Sequence, residues 1–567
     1  MRLPNMKHNV VKKQKYVINF GGINRCSSYN EGELQDSLNL SSDLLPYISQ
    51  RGQRKRLGEF ESPTAIHAHN GIAVVDGTSF LYKADGEEEF AEKITVAEGK
   101  KEIAQLGNKI LIYPDKIYYD VSTNKVFPLE AAIELDGRHH HYTSSSSYIW
   151  FTEVYHNRIE TRDVLPSEGI DSSSNPYESY KAKELYEKFE AGDIISTSGG
   201  GYRDNRDYYI SFNVEKSVIR RIVRSGTRTI VYFDNDTFFS SAEHGESYLM
   251  MKSELTITKN AKELIRICEY GGRVWGTDGQ TIYASAYKDI KSFDKFEGLS
   301  SDSYAIEVST PGEFTGCAAY SSHVVFFKEN SIHRIYGNRP SNFNMVTSDV
   351  PGVQNGSYGS IKMLNERLFY KGVDGVYMYS GGMPLLISEG LGAERYTDAV
   401  AGVQGNKYYI SMKNSKGVYE LFSYDTIKGV FLKEDDTQMI DTAQKDGKLL
   451  YIDGNGGLME ISSSQNVDGI EWYAELRPFN EVFNEKKGYS QLTLRVELDE
   501  GAYMNIETGF DEERFELVKT VSRPGKSIVC IPIAPNRSDT FRVKFSGKGG
   551  CKIMNMVREF AARREVR

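Results

Sequence analysis

The sequence predicts an all-β chain: a β-propeller of six or seven blades, with an inserted small β domain and a C-terminal β-sandwich of jelly-roll type. Three observations predict it. A hairpin-rich unit recurs about every 40 residues. Aromatic and β-branched residues are plentiful and punctuated by 51 Gly but only 15 Pro. The recurrence stops at two places, where the texture of the sequence changes.

The unit is clearest at Gly271 to Phe293. There Arg273-Val274-Trp275 meets the turn Thr277-Asp278-Gly279, and Thr281 to Ser285 follows. Asp-Gly supplies the positive φ of a tight hairpin. Similar stretches start at Gly316, Tyr358, Asp398 and Gln438, at offsets of 42, 40 and 40 residues. Two more start at Ala65 and Ile103, an offset of 38. Four short strands in about 40 residues is the interval of a propeller blade. Such a sheet cannot bury both faces alone, but stacked radially each covers its neighbours and leaves only short edges.

From Ile103 to Leu264 the spacing is 161 residues, about four units where one is expected. Between them lie Ser-rich and Asn-rich stretches, strand-like runs, and one short helix in Tyr180 to Phe189. After Ser464 the unit is lost again, and long alternating strands suit a sandwich. The division expected is 1–144 for an N-terminal arm and the first blades, 145–260 for the insert, 261–464 for the remaining blades and 465–567 for the sandwich. The run Lys15 to Phe20 is strand-like without a nearby partner. It is expected to complete the last blade, near Gln438 to Ser463, because a borrowed strand ties the ring's ends together.

The formal net charge of −9, with acids and bases well mixed, argues against a general nucleic-acid coat. Basic runs stand at Lys12 to Lys15, Arg51 to Arg56 and Arg558 to Arg567. They are expected as solvated tails. Five scattered cysteines, Cys26, Cys268, Cys317, Cys530 and Cys551, form no C-x-x-C and read as reduced thiols packed as small hydrophobes. No apolar run approaches the ~20 residues of a membrane span, and no apolar signal core follows the basic N-terminus.

Few residues invite chemistry. His139-His140-His141 point in different directions on any regular backbone, and no carboxylate spacing supports a metal there. Asp453-Gly454-Asn455-Gly456-Gly457 begins like a calcium loop but lacks the closing acid, so a hairpin turn is expected. Ser198 to Tyr202 is a lone glycine run. Glu434-Asp435-Asp436 reads as loop surface. A propeller glycosidase would need carboxylates converging on the central funnel, which a linear sequence does not display. No catalytic, cofactor-binding or metal-binding residue is assigned, and no cofactor is expected.

Two stretches resemble the propeller-type tail proteins of tailed bacteriophages. One is "INFGGINRCSSYNEGELQDSLNLSSDLLPYISQRGQRK" at Ile18 to Lys55. The other is "GGRVWGTDGQTIYASAYKDIKSF", continuing to "VVFFKENSIHRIYG" at Val324 to Gly337. The segments "FEAGDIISTSGG", "KKGYSQLTLRVELDEGAYMNIETGFD" and "PIAPNRSDTFRVKFSGKGGCKI" are similar to that family's inserted and closing domains. The resemblance, to tail hub or nozzle proteins including the packaged-DNA stabilisation type, implies a non-enzymatic structural part of the virion tail, assembled in the host cytoplasm. It implies a homo-oligomeric ring docking other tail or head–tail connector proteins, with DNA in a channel. The alternatives are a carbohydrate-binding protein that recognises a host-surface glycan and, further off, a propeller glycoside hydrolase or lyase.

Overall fold

The computed structural model describes residues 12–140, 148–163, 179–203, 209–233, 237–239, 249–250, 254–461, 467, 469–481, 486–534 and 537–562. Among the described residues there are seven four-stranded antiparallel sheets. They span 63–95, 102–128, 265–307, 316–348, 362–386, 397–435 and 439–460, the last completed by a strand from elsewhere.

The second strand of each blade is a short run that is apolar on both faces. Ile110 to Tyr113, Val324 to Phe327, Leu368 to Tyr370 and Leu449 to Ile452 are all buried. Burial on both faces removes the usual apolar–polar alternation of a strand. Alternate residues of these runs serve different neighbours. Ile110 and Ile112 pack with Val75 and Phe80 of the first blade, whereas Leu111 and Tyr113 pack with Val274 of the third. Trp275 meets Phe326, and Phe327 meets Tyr370. Phe369 meets Tyr408, and Tyr409 meets Leu449. Leu450 and Ile452 then pack on Ile66 and Val74 of the first blade, so the succession returns to its start. These are the blades of a β-propeller.

The seventh blade contains Met439–Lys445, Lys448–Asp453 and Gly457–Glu460. Its outer strand is Lys55–Glu59, antiparallel to Gly457–Glu460. A strand is therefore borrowed from the N-terminal arm, but it is not the one expected. The earlier run, Lys13–Val17, pairs with Cys551–Ala562 in the C-terminal sandwich. Its outward face carries the exposed Gln14 and Tyr16, while Val17 on the other face joins the core.

The sandwich holds two five-stranded sheets. One joins Lys13–Val17, Cys551–Ala562, Lys487–Leu498 and Gly525–Pro532, with Arg537–Ser538 at its side. The other runs Leu34–Leu38, Glu471–Leu476, Phe541–Lys548, Tyr503–Phe510 and Glu516–Val521. Each sheet thus takes one strand from the arm. Between blades two and three lies an eight-stranded sheet whose strands fall between Ala131 and Lys259. Its core includes Leu185 and Phe189, from and beside the helix Lys181–Lys188.

The arm is held by backbone as well as by strands. The Ile23 N–H donates to the Phe431 carbonyl at 2.8 Å. Gly22 lies so close to the sixth blade that a Cβ there would sit 2.6 Å from Val430 Cβ and 2.8 Å from the Phe431 oxygen. The basic runs, expected as solvated tails, make internal ion pairs. Arg54 bonds Glu434 at 2.9 Å and Asp435 at 2.8 Å, and Arg51 reaches Asp435 at 3.3 Å. Arg558, fully buried, bonds Glu481 at 2.8 Å and Glu31 at 2.9 Å. Lys15 reaches Glu481 at 3.1 Å.

Burial alone would raise the Asp435 carboxyl, but Arg54 and Arg51 beside it outweigh burial and hold it below its ordinary 3.8. Its contribution to stability is therefore complete above the ordinary value and is lost as pH falls through the depressed one. Asp435→Asn is expected to lower stability by about 3 kcal/mol at neutral pH, because it leaves Arg54 under-compensated. The gap from the parent should stay constant above about pH 5 and shrink below about pH 4. Urea melts followed by circular dichroism across that range measure it, and a gap that widens in acid contradicts the assignment.

Candidate functional site

The first strands of the blades lie innermost, since most of them contact the first strand of a neighbouring blade. Polar residues on them meet near the axis. Arg266, on Ile265–Tyr270, makes a short ion pair with Glu102 on Glu102–Leu106. The other Glu102 oxygen accepts the Ile267 N–H at 3.2 Å. Tyr358, in a turn before the fifth blade, has the Arg266 guanidinium 4.7 Å from its ring centroid and Lys100 Nζ at 4.5 Å. Such cation–aromatic contacts are worth about 0.5–2 kcal/mol each.

Irregular pairing aims these side chains. The register shifts between Ile265 and Cys268, between Thr397 and Val400, between Met439 and Asp441, and between Pro63 and Ala65. Arg266 and Asp398 sit within two of these shifts at φ of 53° and 48°. Bulges of this kind redirect a side chain and concentrate near functional sites.

Asp441 accepts the Ile66 N–H at 2.9 Å and its own neighbour Thr442 N–H at 2.8 Å. Burial raises its carboxyl above the ordinary 3.8, against the opposing pull of Lys362 and those N–H groups. Burial likewise lowers Lys362, with Asp441 opposing. The Tyr358 phenol is pushed far up, first by burial and then by Glu102 and Asp441. One phenol thus feels two carboxylates: Glu102, paired with arginine, and Asp441, biased toward its protonated form. Beside them His67 Nε2 shares a hydrogen bond of 3.1 Å with Gln105, which in turn meets His69 Nδ1 at 2.7 Å. Burial lowers His67, against the hydrogen bond from Gln105.

A cleft of about 400 Å³ opens at the same end, beside Lys100 and Tyr358. It is lined by Thr64, Glu98, Lys100, Asp398, Tyr419 and Gln438, among others. The Thr64 hydroxyl is buried without a hydrogen-bond partner. Its volume falls within the ~300–1,000 Å³ of small-molecule sites.

The residues singled out in the sequence lie elsewhere. His139 and His140 belong to the strand Arg138–His140, paired with Tyr148–Trp150, and His141 lies outside the described residues. Asp453 to Gly457 is a hairpin turn in which the Asp453 carboxylate accepts N–H groups of Asn455 and Gly457, each at 2.9 Å. Ser198 to Tyr202 joins two short strands. Glu434, expected on the surface, is buried against the arm. The five cysteines are free thiols, and no group of His, Cys, Asp and Glu among the described residues could hold a metal ion. No helix among them is long and apolar enough to cross a membrane.

No family model matches the chain, and no curated protein does. Several solved structures match at low identity and low TM-score. An exo-β-1,3-galactanase from Phanerochaete chrysosporium, crystallised with galactose, is 8% identical over 52% of this chain and 94% of its own, with a TM-score of 0.21. A bifunctional GH43-CE protein from Bacteroides eggerthii is 8% identical over 53% and 62%, with a TM-score of 0.20. Hsv2 from Kluyvelomyces marxianus is 12% identical over 59% and 99%, at 0.25. The expectation of a chain without enzymatic activity is corrected on this finding: glycoside hydrolases stand among the similar structures.

The Asp441 carboxyl is expected to titrate above 3.8 and to rise further in Lys362→Met, which removes the cation that opposes burial. Carboxyl-carbon NMR, assigned by difference from Asp441→Asn, reads it directly. Titration at or below the ordinary value contradicts this description of the axis.

Proposed function

We propose that the propeller engages a saccharide at the axial cleft, and that this saccharide belongs to a host surface. The observation that carries the reading is the buried, unpartnered Thr64 hydroxyl in a cleft lined by Glu98, Asp398 and Gln438. A hydroxyl-rich ligand both donates to carboxylates and bonds a threonine hydroxyl. Tyr419, in the cleft wall, offers an aromatic face. Glu102 and Asp441 supply two carboxyl groups on the first strands near this cleft, and acid–base cleavage of a glycosidic bond uses such a pair. Burial raises the Asp441 carboxyl, which suits it to the acid role.

A second reading is favoured by the residue likeness to tail hub and nozzle proteins. Gly21-Gly22-Ile23-Asn24, which opens that likeness, is the segment that fastens the arm to the sixth blade. A motif with that position supports an architectural role within a particle. The readings are compatible, since a tail part is one place where a glycan site would be displayed.

The full chain on a glycan array is expected to bind at least one saccharide, and Asp398→Asn to weaken that binding at least about tenfold, the loss of one charged hydrogen bond. Incubation with the bound saccharide and assay of new reducing ends tests cleavage, which Asp441→Asn should abolish. Absence of binding across the array contradicts the saccharide reading. For the second reading, a labelled copy should appear at the tail of purified particles in electron micrographs. Label absent from particles contradicts it.

A further inference from the structure

A second cavity, about 370 Å³, lies between the arm and the sandwich. Asp43, Gln50, Glu497, Asp499, Cys551 and Lys552 are among its lining residues. Gln50 is 93% buried, by its 7% exposure. Its Oε1 accepts the Cys551 N–H at 2.6 Å, which fixes the orientation of the amide. Its Nε2 is then left buried without a partner. Asp43 is paired with Lys407 at 2.8 Å. Lys552 turns its ammonium to the Tyr47 ring, 4.8 Å from the centroid. Among the described residues, Glu497 and Asp499 have no cation within ion-pair distance.

These groups ask for two things at once. The amide nitrogen needs an acceptor, and the carboxylates need a cation or donors. A bare metal ion supplies no acceptor, and an anion is repelled by the carboxylates. An extended peptide bearing arginine supplies both, with a backbone carbonyl for Gln50 and a guanidinium for Asp499 and Glu497. Residues 563–567 of this chain, Arg-Arg-Glu-Val-Arg, have that chemistry. The strand Cys551–Ala562 has twelve residues and begins at the cavity, so Ala562 lies roughly 40 Å away. Five extended residues span roughly 17 Å.

We propose that the cavity receives the arginine-bearing segment 563–567 of a second copy of this chain. Opposite ends of the sandwich then meet head to tail, which is a heterologous contact able to build a ring or a filament. The inference does not depend on the saccharide reading, since it uses neither the axis nor its cleft.

The probe is the synthetic peptide Phe-Ala-Ala-Arg-Arg-Glu-Val-Arg, matching residues 560–567, titrated calorimetrically into the chain lacking 563–567. Saturable binding is expected, weakened at least about tenfold by Asp499→Asn and falling with salt. A peptide with its three arginines replaced by alanine should not bind. Light scattering of the complete chain should show concentration-dependent association that removal of 563–567 abolishes. Equal binding of the alanine peptide, no effect of Asp499→Asn, or association unchanged by the truncation would each overturn the proposal. So would free arginine binding as tightly as the peptide, which would mark a small-molecule site instead.

Discussion

The N-terminal arm is the constraint on which the rest of the molecule depends. Within fifty residues it supplies a strand to each sheet of the sandwich and the outer strand of the seventh blade. Between those strands it lies on the sixth blade through Gly22 and Ile23. A propeller's ends are its weak point, because the first and last sheets are linked only by packing unless a strand crosses between them. Here the crossing strand comes from the same segment that builds the sandwich. The apolar core reflects this: residues of the arm, of blades five and six and of the sandwich belong to one cluster.

Electrostatics fix the arm at both ends of its course. Arg54 and Arg51 meet Glu434 and Asp435 at the sixth blade. Arg558 and Lys15 meet Glu481 and Glu31 at the sandwich. Buried pairs like these are weak evidence for net stability, since desolvation offsets much of the attraction. Their effect is on choice of register. A strand slipped by one residue would leave a buried arginine without a carboxylate, which costs several kcal/mol. The same rigid frame holds the axial residues, so that Glu102 and Arg266, from two blades separated by the whole insert, meet in one place.

Much of the fold was legible in the sequence, and the reason is local. Each blade is a meander of neighbouring strands, so its turns and buried second strand recur at short range, as around Asp278-Gly279 and Leu449 to Ile452. The helix Lys181–Lys188 was legible for the same reason. The destinations of Lys13–Val17 and Lys55–Glu59 were not. Their partners lie roughly 400 to 540 residues away, and such pairings leave no period in the chain. The basic character of Arg51 to Arg54 suggested a solvated tail, because sequence shows charge but not the carboxylates that face it. The axial site was hidden similarly. It takes one polar residue from each of several first strands, His67, Glu102, Arg266, Lys362 and Asp441, each unremarkable in its own strand.

The central claim is that the arm makes propeller and sandwich one cooperative unit. Native-state hydrogen exchange under rising denaturant tests it most directly. The amides of Lys448–Asp453 in the seventh blade and of Lys487–Leu498 in the sandwich should open with a common free energy and a common denaturant dependence. Two well-separated openings, with the blade exchanging while the sandwich stays protected, would contradict it.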